Sequence, residues 1–476
     1  MIAPGKTPFT PIPHARIDAA LNQKIPLTGT TYPISRPAGS DDVVAVRGQR
    51  RIRLAEFQGD AIALAARLPD HRYILNVCTD RYRFMVGFAA ALLRRQVSLL
   101  PSSDAPAMLE ALAADYPDLY ALTDTFQPRL RSLEYPQMLG GMAASLPEIA
   151  ETQPALILFT SGSTGKPKPV PKSWGPLVRS ARAAGKRLGL SRLAGATVIG
   201  TVPHQHSYGL ESTILLGLQN GIIIDAGWPL YPADIRAAIE RAKRPSILVT
   251  SPVHLRALVA EAGGMPEVDL ILSATAPLPV ALATAAEACF AAPLIEIYGC
   301  TEAGQVATRR TTAETYWRCL DGVELHEKAG STWASGGAVD GVALLHDRIE
   351  RIGAGQPGPA MFLLGERAAD LVDVAGKRAS LADLNHQLLS IPGVQDGVFV
   401  MGESDGQLVA RLMAVVVAPA LTSDAISSAL RMRIDPAFLP RPLIFVEALP
   451  RNALGKLPRE ALLLLAGRSP GEAQGR

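Results

Sequence analysis

Short runs of aliphatic and β-branched residues recur along the chain between longer stretches with helical spacing. They are YILNV from Tyr73, ATVIGTV from Ala196, GIIID from Gly221, SILVTS from Ser246, DLILSA from Asp269 and PLIEIYG from Pro293. Alternation of this kind predicts parallel strands joined by helices, hence a large α/β domain. Ligands of such sheets gather at the carboxyl ends of the strands. The segments TSGSTG, PHQHSYG, TSP, SATAP and YGCTEAG are polar or glycine-bearing, so five loops are expected to face one crevice. FMVGFAAALL, from Phe84 to Leu93, is bounded by arginines and far short of a bilayer span, which predicts a buried helix and no membrane span.

From about Gly330 to Gly365 the pattern shortens to STWASGG, GVALLHD and QPGPAMFLLG, predicting a small β subdomain. Beyond Arg367 the texture changes again to hairpin, helix and strand, and a compact α+β unit of ordinary domain size is expected. The division predicted is a large N-terminal domain over 1–366, of layered and mainly parallel sheets with helices, a hinge at 367–370, and a small mobile α+β C-terminal domain over 371–476.

Composition refines this only slightly. The 476 residues exceed what one core usually serves. The 47 Lys and Arg nearly balance the 44 Asp and Glu, so nothing marks a nucleic-acid surface. Cys78, Cys289, Cys300 and Cys319 form no CxxC pair, so neither a zinc site nor a disulfide framework is indicated, and a reducing cytoplasm fits best. The first residues, MIAPGKTPFTPIPHARID, lack an apolar signal core and predict a loosely held arm.

The richest chemistry lies in ILFTSGSTGKPKPVPKSW, residues 157–174. A phosphate chain needs closely presented N–H groups, small side chains, hydroxyl donors and a cation. Thr160, Ser161, Gly162, Ser163, Thr164, Gly165, Lys166 and Lys168 supply them, although Thr160 and the Pro after Lys166 depart from a Walker A loop. Taken alone, such a run is more often an ordinary surface loop.

TSGSTGKPK resembles the phosphate-binding signature of the adenylate-forming superfamily of acyl-CoA synthetases, acid ligases, adenylation domains and luciferases. Further similar motifs follow in the family's order: PHQHSYG at 203–209, SATAP at 273–277, YGCTE at 298–302, LHD at 345–347, GERAAD at 365–370, GKR at 376–378 and PRNALGK at 450–456. RYILNVCTDRYRFMVGFAAALLRRQVSLLP is similar, more narrowly, to ligases of aryl-polyene and xanthomonadin-type pathways that load an aromatic acid onto an acyl carrier protein.

The resemblance implies ATP-dependent activation of a carboxylic acid, aromatic in the narrower group, to acyl-AMP. Transfer to the phosphopantetheine thiol of a carrier protein follows, or, as the alternative, to free coenzyme A. It implies Thr160 to Gly165 around the β- and γ-phosphates with Lys168 as counter-charge, and Tyr298 and Gly299 at adenine. Thr301 is placed at the α-phosphate, Glu302 as the Mg²⁺ carboxylate, and Ser273, Ala274 and Thr275 along the adenine and acyl pocket. It also implies Asp347 at the ribose, Arg367 at the ribose or a phosphate, His206 between ATP and the acid, and Lys456 bridging carboxylate and α-phosphate. Asp370 becomes the hinge residue, since Ala369 stands where an acid is common, and Gly376 the residue past which pantetheine threads. Pro169 and Trp174 depart from the usual Gly and His. A non-catalytic nucleotide-binding protein and a P-loop phosphohydrolase are the readings of other classes.

Overall fold

The computed structural model describes residues 29–36, 39, 41–101, 106–125, 130–143, 145–161, 167–261, 263–328, 331–353, 359–367, 371–374, 377–401, 412–452 and 457–466. The predicted strands form, and five of the six lie side by side in one sheet. Ile223–Asp225, Thr197–Gly200, Ser246–Thr250, Leu270–Ser273 and Leu294–Cys300 are consecutive parallel neighbours in an eleven-stranded sheet. Both faces of these strands are apolar because both are covered, as parallel sheets require. Val198, Val249 and Leu272 enter one core while Ile199, Leu248 and Ile271 enter another beneath the helices Pro232–Ala242, Pro252–Val259 and Val280–Phe290.

Tyr73–Asn76 belongs instead to a second, six-stranded sheet with Val97–Leu100, Leu119–Thr123 and Pro154–Ser161. The helix Arg81–Leu93, expected from FMVGFAAALL, is buried over nearly its whole length, and Asp80 caps its first turn by accepting from the Arg83 N–H. It packs with residues of both sheets in the largest core.

The predicted β subdomain differs in extent. Glu324–Lys328, Ser331–Ser335 and Val342–Leu345 form a separate three-stranded antiparallel sheet. The last two strands of that region, Asp347–Ile352 and Met361–Arg367, rejoin the eleven-stranded sheet at its antiparallel edge. Beyond them come a hairpin, Leu371–Val374 with Lys377–Ser380, and a three-stranded sheet of Asp396–Met401, Leu412–Val417 and Leu443–Phe445 with its own cores. Helices Leu381–Leu389 and Ser423–Arg431 belong to this α+β part, and Arg451 clamps Asp396 through two bonds of 2.8 Å. Among the described residues no helix is long and apolar enough to cross a membrane, and all four cysteines are free thiols.

Candidate active site

Four of the five expected loops leave the carboxyl ends of the eleven-stranded sheet. The register sets Thr250 beside Ser273 and Ser273 beside Glu296, so the loops after Thr250 and Ser273 emerge at one level while Leu294–Cys300 runs on past it. Ser273 is fully buried, and its Oγ has no hydrogen-bond partner among the described residues. Two residues on, Thr275 holds φ at +81°. A β-branched residue in the left-handed region is strained by on the order of 1–3 kcal/mol, and such outliers cluster at ligand-binding turns.

Tyr298, near the end of Leu294–Cys300, donates its hydroxyl to Asp347 Oδ2 at 2.8 Å. Its ring lies 5.5 Å from Trp317 and 5.7 Å from Phe362, centroid to centroid. Asp347 opens its strand with the backbone of Arg367 directly opposite, so Tyr298 and Asp347 meet at one edge of the crevice. Arg367's backbone is described; its side chain is not.

The segment after Tyr298 is a tight hairpin rather than the start of a helix. A bulge at Gly299 and the turn at Thr301 to Ala303 connect Leu294–Cys300 to Gly304–Arg309. A Cβ on Gly299 would lie 2.1 Å from the Gly304 carbonyl oxygen, which accounts for the glycine. Thr301 and Glu302 are half-buried at this tip. The Glu302 carbonyl accepts from the Lys172 ammonium.

The two histidines of PHQHSYG separate cleanly. His204 is fully buried: its Nε2 donates to the Cys78 carbonyl at 2.9 Å, and its ring packs on Phe84 and Trp228. Burial, with Arg81 nearby, holds its pKa down at about 3. His206 is half-buried immediately before the short helix Ser207–Gly209. The Tyr208 hydroxyl donates to the Thr250 carbonyl at 3.1 Å, linking this loop to the next strand.

The fifth loop comes from the six-stranded sheet. Pro154–Ser161 pairs antiparallel with Pro167–Ser173, aligning Ser161 with Pro167 and Thr160 with Lys168. Pro167, Pro169 and Pro171 alternate along an edge strand, where their missing N–H groups are all on the outer side and no ladder bond is lost. Thr160 and Ser161 close the inner strand, and Lys168 is exposed on the outer one. Gly162, Ser163, Thr164 and Gly165, like Asp370, Gly376 and Lys456, lie outside the described residues.

Sequence reasoning missed Lys172 and Glu211. Both are about 5 % exposed, and each is the other's leading attractive charge. Burial lowers the lysine's pKa and raises the glutamate's. No local pattern marks either: Lys172 sits among prolines and Glu211 in the apolar run LESTILLGL.

The profile of the AMP-binding enzyme family matches residues 63–332, and that of the AMP-binding enzyme C-terminal domain matches residues 384–456. The chain belongs to the AMP-binding enzyme family. A 4-coumarate–CoA ligase of Rhodobacter capsulatus is 31% identical over 314 residues, 64% of this chain and 76% of that protein. A 3-hydroxybenzoate–CoA/4-hydroxybenzoate–CoA ligase of Thauera aromatica is 26% identical over 374 residues, 69% of this chain and 70% of its own. An O-succinylbenzoate coenzyme A synthetase of Bacillus subtilis, solved with ATP and magnesium ion, superposes with a TM-score of 0.74 at 18% identity, over 88% of this chain and 96% of that one. As a member of this family the chain is an ATP-dependent, AMP-forming ligase.

Proposed function

We propose that this ligase adenylates an aromatic carboxylic acid and passes the acyl group to a pantetheine thiol. In the first half-reaction a carboxylate oxygen bonds to the α-phosphorus of ATP and pyrophosphate leaves. In the second, the thiol sulfur bonds to the carbonyl carbon, AMP leaves and the thiol proton is released. Both halves concentrate negative charge, so the residues' work is positioning and electrostatic stabilisation.

The observation that carries the reading is the Tyr298–Asp347 bond at the crevice edge, with Arg367 opposite Asp347. A carboxylate held this way suits the two hydroxyls of a ribose, with adenine alongside Tyr298, Gly299 and Ser273 to Thr275. Thr301, at the hairpin tip, is assigned to the α-phosphate on the family resemblance. Glu302 fits magnesium: the residue is half-buried and offers one hard oxygen donor, and the ion would take its other ligands from phosphates and water. Among the described residues no group of three acidic, His or Cys side chains could hold a metal unaided. When bound, the ion offsets phosphate charge. Thr160 to Gly165 and Lys168 would take the β- and γ-phosphates, His206 the acid side, and Lys456 both reacting groups. Asp370 is assigned the hinge between domains 1–366 and 371–476, and Gly376 the pantetheine passage.

The aromatic acid is supported by the names of the relatives. Those names also support coenzyme A as acceptor, whereas the resemblance of residues 72–101 to pigment-pathway ligases supports a carrier protein. Pyrophosphate release with benzoates, hydroxybenzoates, cinnamates and fatty acids tests the acid, and a preference for fatty acids would refute the aromatic reading. Thioester formation with coenzyme A against holo-carrier protein then tests the acceptor: saturation by micromolar coenzyme A removes the carrier reading.

A further inference from the structure

Lys172 and Glu211 stand between three of the loops that meet at the crevice. Lys172 lies on the strand Pro167–Ser173 that leaves the phosphate loop, and its ammonium donates to the backbone carbonyl of Glu302. Glu211 lies in the helix that follows His206, where Leu210–Leu215 widens into a π-helical turn, a distortion common at functional sites. Its Oε1 accepts from Ser207 Oγ at 2.6 Å and its Oε2 from Ser180 Oγ at 3.3 Å. A Cβ on Gly304 would sit at ordinary contact distance, 3.5 Å, from that Oε2, so the carboxylate lies beside the far end of the Thr301–Glu302 turn. Ser212 Oγ accepts from Gln305 Nε2 at 3.2 Å, a second tie between the same helix and the same hairpin.

Burying two opposite charges is a poor device for stability, because apolar residues of equal volume usually serve as well or better. Among the described residues Lys172 and Glu211 make no direct bond to each other, and each is tied instead to a different neighbour. The cation holds a main-chain carbonyl and the anion holds the neighbouring helix. We propose that Lys172 and Glu211 are positioning residues that fix the Glu302 turn relative to the phosphate loop and the His206 helix. The Glu302 carboxylate is thereby held where it would meet the metal. The inference rests on the assignment of Glu302 as the metal carboxylate made above.

Calorimetric ATP affinity, measured with excess Mg²⁺ and again in EDTA, tests it on the full chain and on K172M, E211Q, K172M/E211Q and E302Q, with a thermal melt for each. Removing both charges restores neutrality, so the double variant should melt near the parent even where K172M alone does not fold. It should keep metal-free ATP affinity within about threefold yet lose on the order of tenfold of the gain that Mg²⁺ gives, the scale of one contact to a charged group. E302Q should lose the same gain. If E302Q retains the gain, the metal assignment itself falls. If E302Q loses it while K172M/E211Q retains it, the positioning role falls and the assignment stands. A double variant that fails to fold, or that loses both affinities in parallel, makes the pair merely structural and overturns the inference.

Discussion

The Tyr298 hydroxyl donates to Asp347 while its ring rests on Trp317 and Phe362, so a rigid aromatic base aims one carboxylate. Removing a hydrogen bond to a charged group costs about 1.5–3 kcal/mol. Tyr298→Phe should therefore raise the KM for ATP about tenfold, by roughly 1.4 kcal/mol, with a smaller change in kcat, in a steady-state pyrophosphate-exchange assay. At His204 the expected effect is on stability. Its pKa is about 3 in the fold against about 6.5 in an unfolded chain. Between those values the unfolded state binds the extra proton, so stability falls as pH falls, by about 1.4 kcal/mol per pH unit. Gln205 also donates to the Cys78 carbonyl, at 3.0 Å, so His204→Phe leaves that oxygen satisfied. Urea midpoints at pH 7.5 and 5 should show a smaller drop for the variant than for the parent, and equal drops would contradict the assignment.

At the scale of elements, the strands that carry the site were legible because both faces of the parallel sheet are buried, which writes continuous apolar runs ending in polar loops. The hairpin around the phosphate loop was not, since three prolines argue against a strand until the edge position and their alternation are known. The extent of the β subdomain was misjudged for a similar reason. Nothing in GVALLHD or QPGPAMFLLG says that Asp347–Ile352 and Met361–Arg367 pair with the larger sheet. Lys172 and Glu211 were illegible because their burial is set by partners over a hundred positions away in the Lys172–Glu302 case. The Leu294–Arg309 hairpin yields a prediction of its own. With Gly304 O at 2.1 Å from an added Cβ, Gly299→Ala must open the bulge, costing about 1–3 kcal/mol of stability. The displaced tip should lower pyrophosphate exchange about a hundredfold, even at saturating Mg²⁺ and well below the variant's melting temperature. A melt and rate both matching the parent would mean that the bulge yields freely.

At the scale of the whole molecule, the proposed site residues spread over two family domains, whose profiles end at residue 332 and begin at residue 384, and over the stretch between them that holds Asp347, Arg367, Asp370 and Gly376. Tyr298, Glu302 and His206, the last proposed for the acid side, belong to the first, whereas Lys456 closes the second. An ammonium carried on a separate small domain can meet the reacting carboxylate and α-phosphate in one arrangement of the domains and be absent in another. Thiol attack on the finished adenylate has no α-phosphate transfer left to assist, so it has no use for that charge. The two half-reactions should then respond differently to one substitution. Lys456→Ala is expected to lower acid-dependent pyrophosphate exchange by about 10²–10³, the usual cost of one preorganised donor, while thioester formation from supplied acyl-AMP stays within a few-fold of the parent. Single-turnover assays of each half-reaction separate the outcomes. Equal loss in both would place Lys456 in a fixed site serving the whole cycle and would remove the reason for assigning a hinge at Asp370.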